Sequence, residues 1–102
     1  MTITALIPHL LSEALAKYLL LKGEGKDKTF VRGANRNIQY VTDHLGDRPI
    51  DAYTSADAAS LRDKLMDNGL SVSSVKRNFS TIRSIINLTI TEQGLDCINA
   101  FA

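Results

Sequence analysis

Residues 70–95 read LSVSSVKRNFSTIRSIINLTITEQGL and hold the strongest helix pattern in the chain. Val75, Phe79, Ile82 and Ile86 recur at spacings of four, three and four, which puts them on one stripe of an α-helix, with Ile85 and Ile90 widening it. That stripe is the expected core face. Lys76, Arg77, Ser80, Arg83, Ser84 and Asn87 fall on the other side, and from Ser71 to Thr91 there is no Asp or Glu. A solvated helix face normally mixes signs through Glu/Lys pairs, so three cations among hydroxyl and amide groups suit phosphates instead. Taken alone, three basic residues also read as an ordinary solvated face. The rest of the chain decides between the two.

Working outward, the preceding helix is expected over about residues 55–68. Thr54-Ser55-Ala56-Asp57 forms a capping box, Ala58, Leu61 and Leu65 face inward, and Asn68-Gly69 ends the helix in a left-handed cap. Asp57 is thereby a cap and not a general acid. Before it, Gly46 stops another helix, and GDRPI is a turn that delivers Ile50 and Tyr53 to the core. In that earlier helix Val31, Ala34, Ile38, Val41 and Leu45 repeat at three, four, three and four, with Thr29 as its expected cap. Its opposite face carries Lys28, Arg32, Asn35, Arg36 and Gln39, again basic and amide-rich. Gly33 within it either weakens the helix, by about 1 kcal/mol against Ala, or permits a close approach.

A first helix is expected from a Ser12 cap through Lys22, burying Leu11, Leu15, Tyr18 and Leu19. Residues 23–28, GEGKDK, read as a mobile connection, and residues 1–10 as a loosely held arm ending beyond Pro8. No segment sustains two-residue alternation, so no sheet is expected. Four helices with short links make an all-α small bundle.

Composition narrows the function. The 102 residues allow one domain with a modest core, and 44% apolar with 23% charged content is ordinary for a globular chain. A net charge of +1 gives no global attraction to nucleic acid, so the distribution matters. Seven of the twelve cations lie in two segments (Lys26, Lys28, Arg32, Arg36; Lys76, Arg77, Arg83), while residues 51–67 hold four Asp against two cations. Cys97 is the single cysteine, which excludes an intrachain disulfide and a thiolate metal cluster and fits a reducing cytoplasm. No apolar run approaches the roughly 20 residues of a membrane span. His9 and His44 lack a second ligand at metal spacing, and Gly23-Glu24-Gly25-Lys26 lacks the spacing of a phosphate loop. No cofactor and no independent catalysis are expected. Tyr18, Tyr40 and Tyr53 read as packing residues with their hydroxyls at the rim.

The order GDRPIDAYTSADAASLRDKL, an Asn-Gly turn, then LSVSSVKRNFSTIRSIINLTI resembles the core-binding domain that precedes the catalytic domain in tyrosine recombinases of the phage integrase type. LSEALAKYLLLKG and KTFVRGANRNIQYVTDHLGD are similar to that domain's first two helices, so the resemblance spans about residues 11–102. INAFA is similar to the Asn-Pro-Phe boundary of such domains, with Ala100 where they have proline. The resemblance implies a SAM-like four-helix bundle over residues 11–95, with residues 96–102 starting a linker to a catalytic domain that lies beyond. Double-stranded DNA and other recombinase protomers are the implied partners. Carried over by position, Lys28, Thr29, Arg32 and Arg36 of the second helix and Ser74, Lys76, Arg77, Ser80 and Arg83 of the fourth are the implied DNA contacts. Most would be phosphate contacts, and Arg77 or Arg83 would read a guanine edge if its helix enters the major groove. The alternative from another class is a helical interaction bundle whose basic faces bind an acidic partner protein.

Overall fold

The computed structural model describes residues 9–23, 25 and 28–101. Residues 1–8 of the arm expected over residues 1–10, Glu24, Lys26 and Asp27 of the expected connection, and Ala102 of the expected linker lie outside the described residues, whereas His9 and Leu10 are tied to the bundle through Ile50 and Pro49. The architecture is a small four-helix bundle: α1 (Leu11–Lys22), α2 (Lys28–Leu45), a 3-10 turn (Ile50–Ala52), α3 (Ser55–Asp67) and α4 (Val72–Gln93), with no strand among the described residues. The long helix α4 packs against each of the other three, and α2 also packs against α1 and α3.

The stripes read from the sequence are the buried faces. Ile38 and Val41 from α2, Ala58, Leu61 and Leu65 from α3, and Val75, Ile82, Ile85 and Ile86 from α4 share one core with Leu11 and Ala14 of α1, and Ala34 of α2 is buried as well. Leu15, Tyr18, Phe79 and Ile90 pack at its edge, and Tyr18 stacks on Phe30 at 5.8 Å to join α1 to α2. Two caps match their expected form. The Thr54 hydroxyl accepts from Asp57 N at 3.1 Å while the Asp57 carboxylate accepts from Thr54 N at 2.9 Å; Ser71 Oγ accepts from Ser74 N at 3.2 Å. Gly46, Gly69 and Gly94 turn the chain out of α2, α3 and α4 at φ of +91°, +97° and +62°, where a side chain is disfavoured.

Two helix starts differ from expectation. Leu10, not Ser12, caps α1: Leu10 N donates to Glu13 Oε1 at 3.0 Å, and Ser12 N inside the first turn donates to Asp47 Oδ1, also at 3.0 Å. A carboxylate thirty-five residues away takes the role a local hydroxyl would have played. Thr29 likewise lies within the first turn of α2, which begins at Lys28.

The corner between α2 and α3 ties these pieces together. Leu11 N donates to the Arg48 carbonyl at 3.0 Å, Ile50 N to the His9 carbonyl at 2.8 Å, and the Arg48 guanidinium meets Asp57 at 3.1 Å. The backbone N–H of Thr54, followed by the other Thr54 and Arg48 contacts, holds the Asp57 carboxyl below the usual carboxylate range. Tyr53 is 4% exposed, and its hydroxyl is not at the rim: it donates to the Gly46 carbonyl at 2.6 Å and accepts from Arg48 N at 3.1 Å. Burial, first among the causes, pushes that phenol up.

Residues after Gly94 do not leave the bundle as the start of a connection would. Phe101 is 2% exposed and sits edge-on to both Tyr53 at 5.8 Å and Phe79 at 5.7 Å. Asn99 anchors it, donating to the Arg83 carbonyl at 3.1 Å and to Asn87 Oδ1 at 2.9 Å while accepting from Phe101 N at 3.0 Å. An aromatic ring in this environment is core, whatever follows it in sequence. Phe101→Ala should therefore cost about 3–5 kcal/mol in urea unfolding, and a loss below about 0.5 kcal/mol would show that residues 96–101 are a passive linker.

Candidate nucleic-acid interface

The apolar stripes fix how α2 and α4 are rotated about their axes, and rotation decides where the polar faces point. Lys28, Thr29, Arg32 and Arg36 are exposed on α2, and Lys76, Arg77, Ser80 and Arg83 are exposed on α4, with Ser74 half-buried. Lys28, Arg32 and Arg36 succeed one another at i, i+4 and i+8, and Lys76, Ser80 and Arg83 at i, i+4 and i+7, so each set forms a stripe along its helix. Arg77 stands beside the second stripe, on the side turned toward α2.

Between α2 and the start of α4 lies a cleft of about 370 Å³, lined by Thr29, Gly33, Arg36, Asn37 and Tyr40 of α2, by Leu70, and by Ser74, Arg77 and Asn78 of α4. Four of the nine residues expected from the sequence therefore meet at one place: Thr29, Arg36, Ser74 and Arg77. Lys28 and Arg32 continue outward along α2. Lys76, Ser80 and Arg83 continue along α4, where the Arg83 carbonyl also receives the Asn99 amide.

The electrostatics of this region are one-sided. Among the described residues the ion pairs are Arg48–Asp57 and Arg62–Asp63, each at 3.1 Å, and neither involves a cation of α2 or α4. Among the described residues no carboxylate lines the cleft. The helix ends follow the same division: α1 and α3 carry Glu13 and Asp57 in their first turns, whereas the first turns of α2 and α4 carry no acid. A helix N-terminus holds partial positive charge, which an acidic residue there would offset.

Gly33 answers its own question. A methyl group built at that position meets nothing within 4 Å among the described residues outside its own helix backbone, so Gly33 lines the cleft beside open space and is not required by a close packing contact. Asn37, Tyr40 and Asn78 are cleft residues that the basic-residue pattern did not mark. Asn37 carried a signal nonetheless: it stands three residues after Ala34 and four before Val41, on the apolar stripe, where a polar side chain is out of place. It is buried, and its Oδ1 has no hydrogen-bond partner in the protein.

Other candidates for chemistry are accounted for by structure. His44 Nε2 shares a hydrogen bond with Ser60 Oγ at 2.8 Å, joining α2 to α3. Burial first, then the Asp51 and Asp96 carboxylates, push the Cys97 thiol up, which disfavours the reactive thiolate. No group of three or more potential metal ligands occurs among the described residues, and none of their helices is long and apolar enough to cross a membrane. A search of protein-family models, curated proteins and solved structures matched none of them to this chain.

Because Arg36 and Arg77 are exposed and have no carboxylate partner among the described residues, removing them should not disturb the fold. The Arg36→Ala/Arg77→Ala protein is expected to unfold in urea within about 0.5 kcal/mol of the parent. A loss above about 2 kcal/mol would mean that these arginines hold the bundle together and are not kept for a partner.

Proposed function

We propose that this chain is a DNA-binding module, the core-binding part of a site-specific recombinase of the tyrosine recombinase class. It grips duplex DNA through phosphate contacts and so holds a catalytic domain, carried elsewhere in the parent protein, over its scissile phosphate. The fragment itself contributes no catalytic group. The observation that supports this reading best is the convergence of Arg36 and Arg77, neither ion-paired among the described residues, on one cleft between α2 and the start of α4.

The physics supports each part. Free N–H groups and dipole charge at a helix start favour a phosphate, and a guanidinium adds charge-assisted, often bidentate bonds. The cleft, with Lys28 and Arg32 extending one stripe and Lys76, Ser80 and Arg83 the other, gives a surface that would follow a charged backbone over several phosphates. Contacts of this kind position the protein and carry little sequence information. The acidic residues concentrated in residues 51–67 are segregated in sequence from these cations, so a local basic surface is compatible with the net charge of +1. On two DNA sites, protomers of the parent protein would also touch through this module as they assemble.

The test is fluorescence anisotropy of a labelled duplex of about 30 base pairs titrated at several salt concentrations. With about four phosphates neutralised, log K should fall against log salt with a slope of about −3.6, and Arg36→Ala/Arg77→Ala should bind more weakly with a slope shallower by about 2. Absence of binding at low salt, or a double variant that binds as the parent does, would overturn the reading in favour of an acidic protein partner.

A further inference from the structure

The basic surface described above ends at Arg83, yet the acid-free run of α4 continues to Thr91. Ser84 and Asn87 stand one turn beyond Ser80 and Arg83, and with Leu88 and Thr91 they form one wall of a second groove, of about 400 Å³, whose other wall is Tyr18 and Lys22 of α1. Lys22, Ser84, Asn87 and Thr91 are exposed. Among the described residues no carboxylate lines this groove, and Lys22 belongs to neither ion pair.

The docked tail fixes which end of the Asn87 amide is free. A backbone N–H only donates and a carbonyl only accepts, so the bonds from Phe101 N and to the Arg83 carbonyl leave Asn99 one orientation, with Oδ1 toward Phe101 and Nδ2 toward α4. That Nδ2 needs an acceptor from Asn87, and it meets Asn87 Oδ1 at 2.9 Å. The acceptor of Asn87 is thus engaged. Its Nδ2, with two donors, bonds to nothing among the described residues. An amide restricted to donating, beside an ammonium group and two hydroxyls, is matched by an anion.

We propose that this groove is a further phosphate site, through which α1 joins α2 and α4 in holding the DNA backbone. Lys22 supplies the charge, and Asn87 with the Ser84 and Thr91 hydroxyls supplies hydrogen bonds. The inference rests on the DNA reading and extends it by one helix. Phosphodiester oxygens accept and do not donate, which suits Lys22 Nζ and Asn87 Nδ2, groups that donate and do not accept. A base edge, with donors beside acceptors, would leave its donors unmatched at both, so the contact positions the protein and does not read sequence. One such phosphate contact contributes about 0.9 to the salt slope, which corresponds to about eightfold in affinity at about 0.1 M salt.

The test titrates the labelled duplex with the full chain and three variants at several salt concentrations. Lys22→Ala should bind about eightfold more weakly at about 0.1 M salt, with a slope shallower by about 0.9. Lys64→Ala, which removes the same charge from an exposed position on α3, should match the parent. Asn87→Asp keeps the acceptor that Asn99 needs, so it should unfold in urea as the parent does; it replaces the two donors with an anionic oxygen, so it should bind at least as weakly as Lys22→Ala. A parent that binds no duplex overturns the groove together with the DNA reading. A parent whose binding depends on Arg36 and Arg77 but is unchanged by Lys22→Ala, is lowered equally by Lys64→Ala, or survives Asn87→Asp overturns the groove alone.

Discussion

The Tyr53 hydroxyl donates to the Gly46 carbonyl and accepts from Arg48 N, and through this pair of bonds the corner between α2 and α3 becomes rigid. Much of the bundle is hung on that corner. Asp47 receives the first-turn N–H of Ser12, the Arg48 carbonyl receives Leu11 N, and the Arg48 side chain reaches the carboxylate that caps α3. On the other face of the same ring, Phe101 bridges Tyr53 to Phe79 of α4. One aromatic residue thus links the end of α2, the start of α1, the cap of α3 and the rotation of α4. Edge-to-face rings of this kind add about 0.5–1.5 kcal/mol each beyond their buried area, and they fix orientation as well as distance.

Orientation is what the proposed surface needs. If α4 were free to turn about its axis, Arg77 would not be held opposite Arg36, and two basic stripes would be two unrelated solvated faces. With Val75, Ile82, Ile85 and Ile86 buried and Phe79 clamped by Phe101, rotation would expose apolar surface worth about 25 cal/mol per Å². The core therefore sets the geometry of the charges. Several of the chain's acids are engaged away from these cations: Asp57 on a cap and on Arg48, Asp47 on α1, Glu13 on the Leu10 N–H.

The helices were legible because each carries its apolar residues at three-and-four spacing and ends in a glycine or a capping hydroxyl. Thr54, Asp57, Ser71 and Gly94 needed only neighbours within a turn, and local chemistry decided them. Ser12 and Thr29 carry the same chemistry one or two residues too late; at α1 a distant carboxylate, Asp47, took over, and sequence spacing holds no record of such a partner. The docking of Phe101 was hidden for the same reason, since an Asn and a Phe after a helix carry no period. At the candidate site the basic residues were visible in sequence, but their meeting at one cleft is a tertiary fact. Asn37 was visible as a polar residue on an apolar stripe, a signal of buried polarity more than of charge, and so was passed over when cations were counted.

The central claim is that α2 and α4 form one nucleic-acid surface. It is tested most directly by adding unlabelled duplex DNA to the ¹⁵N-labelled chain at low salt and mapping which backbone amides shift. The account requires the shifts to concentrate in residues 28–40 and 71–84, leaving α3 unmoved. Shifts centred on Ser55–Asp67, or shifts on only one of the two basic helices, would contradict it.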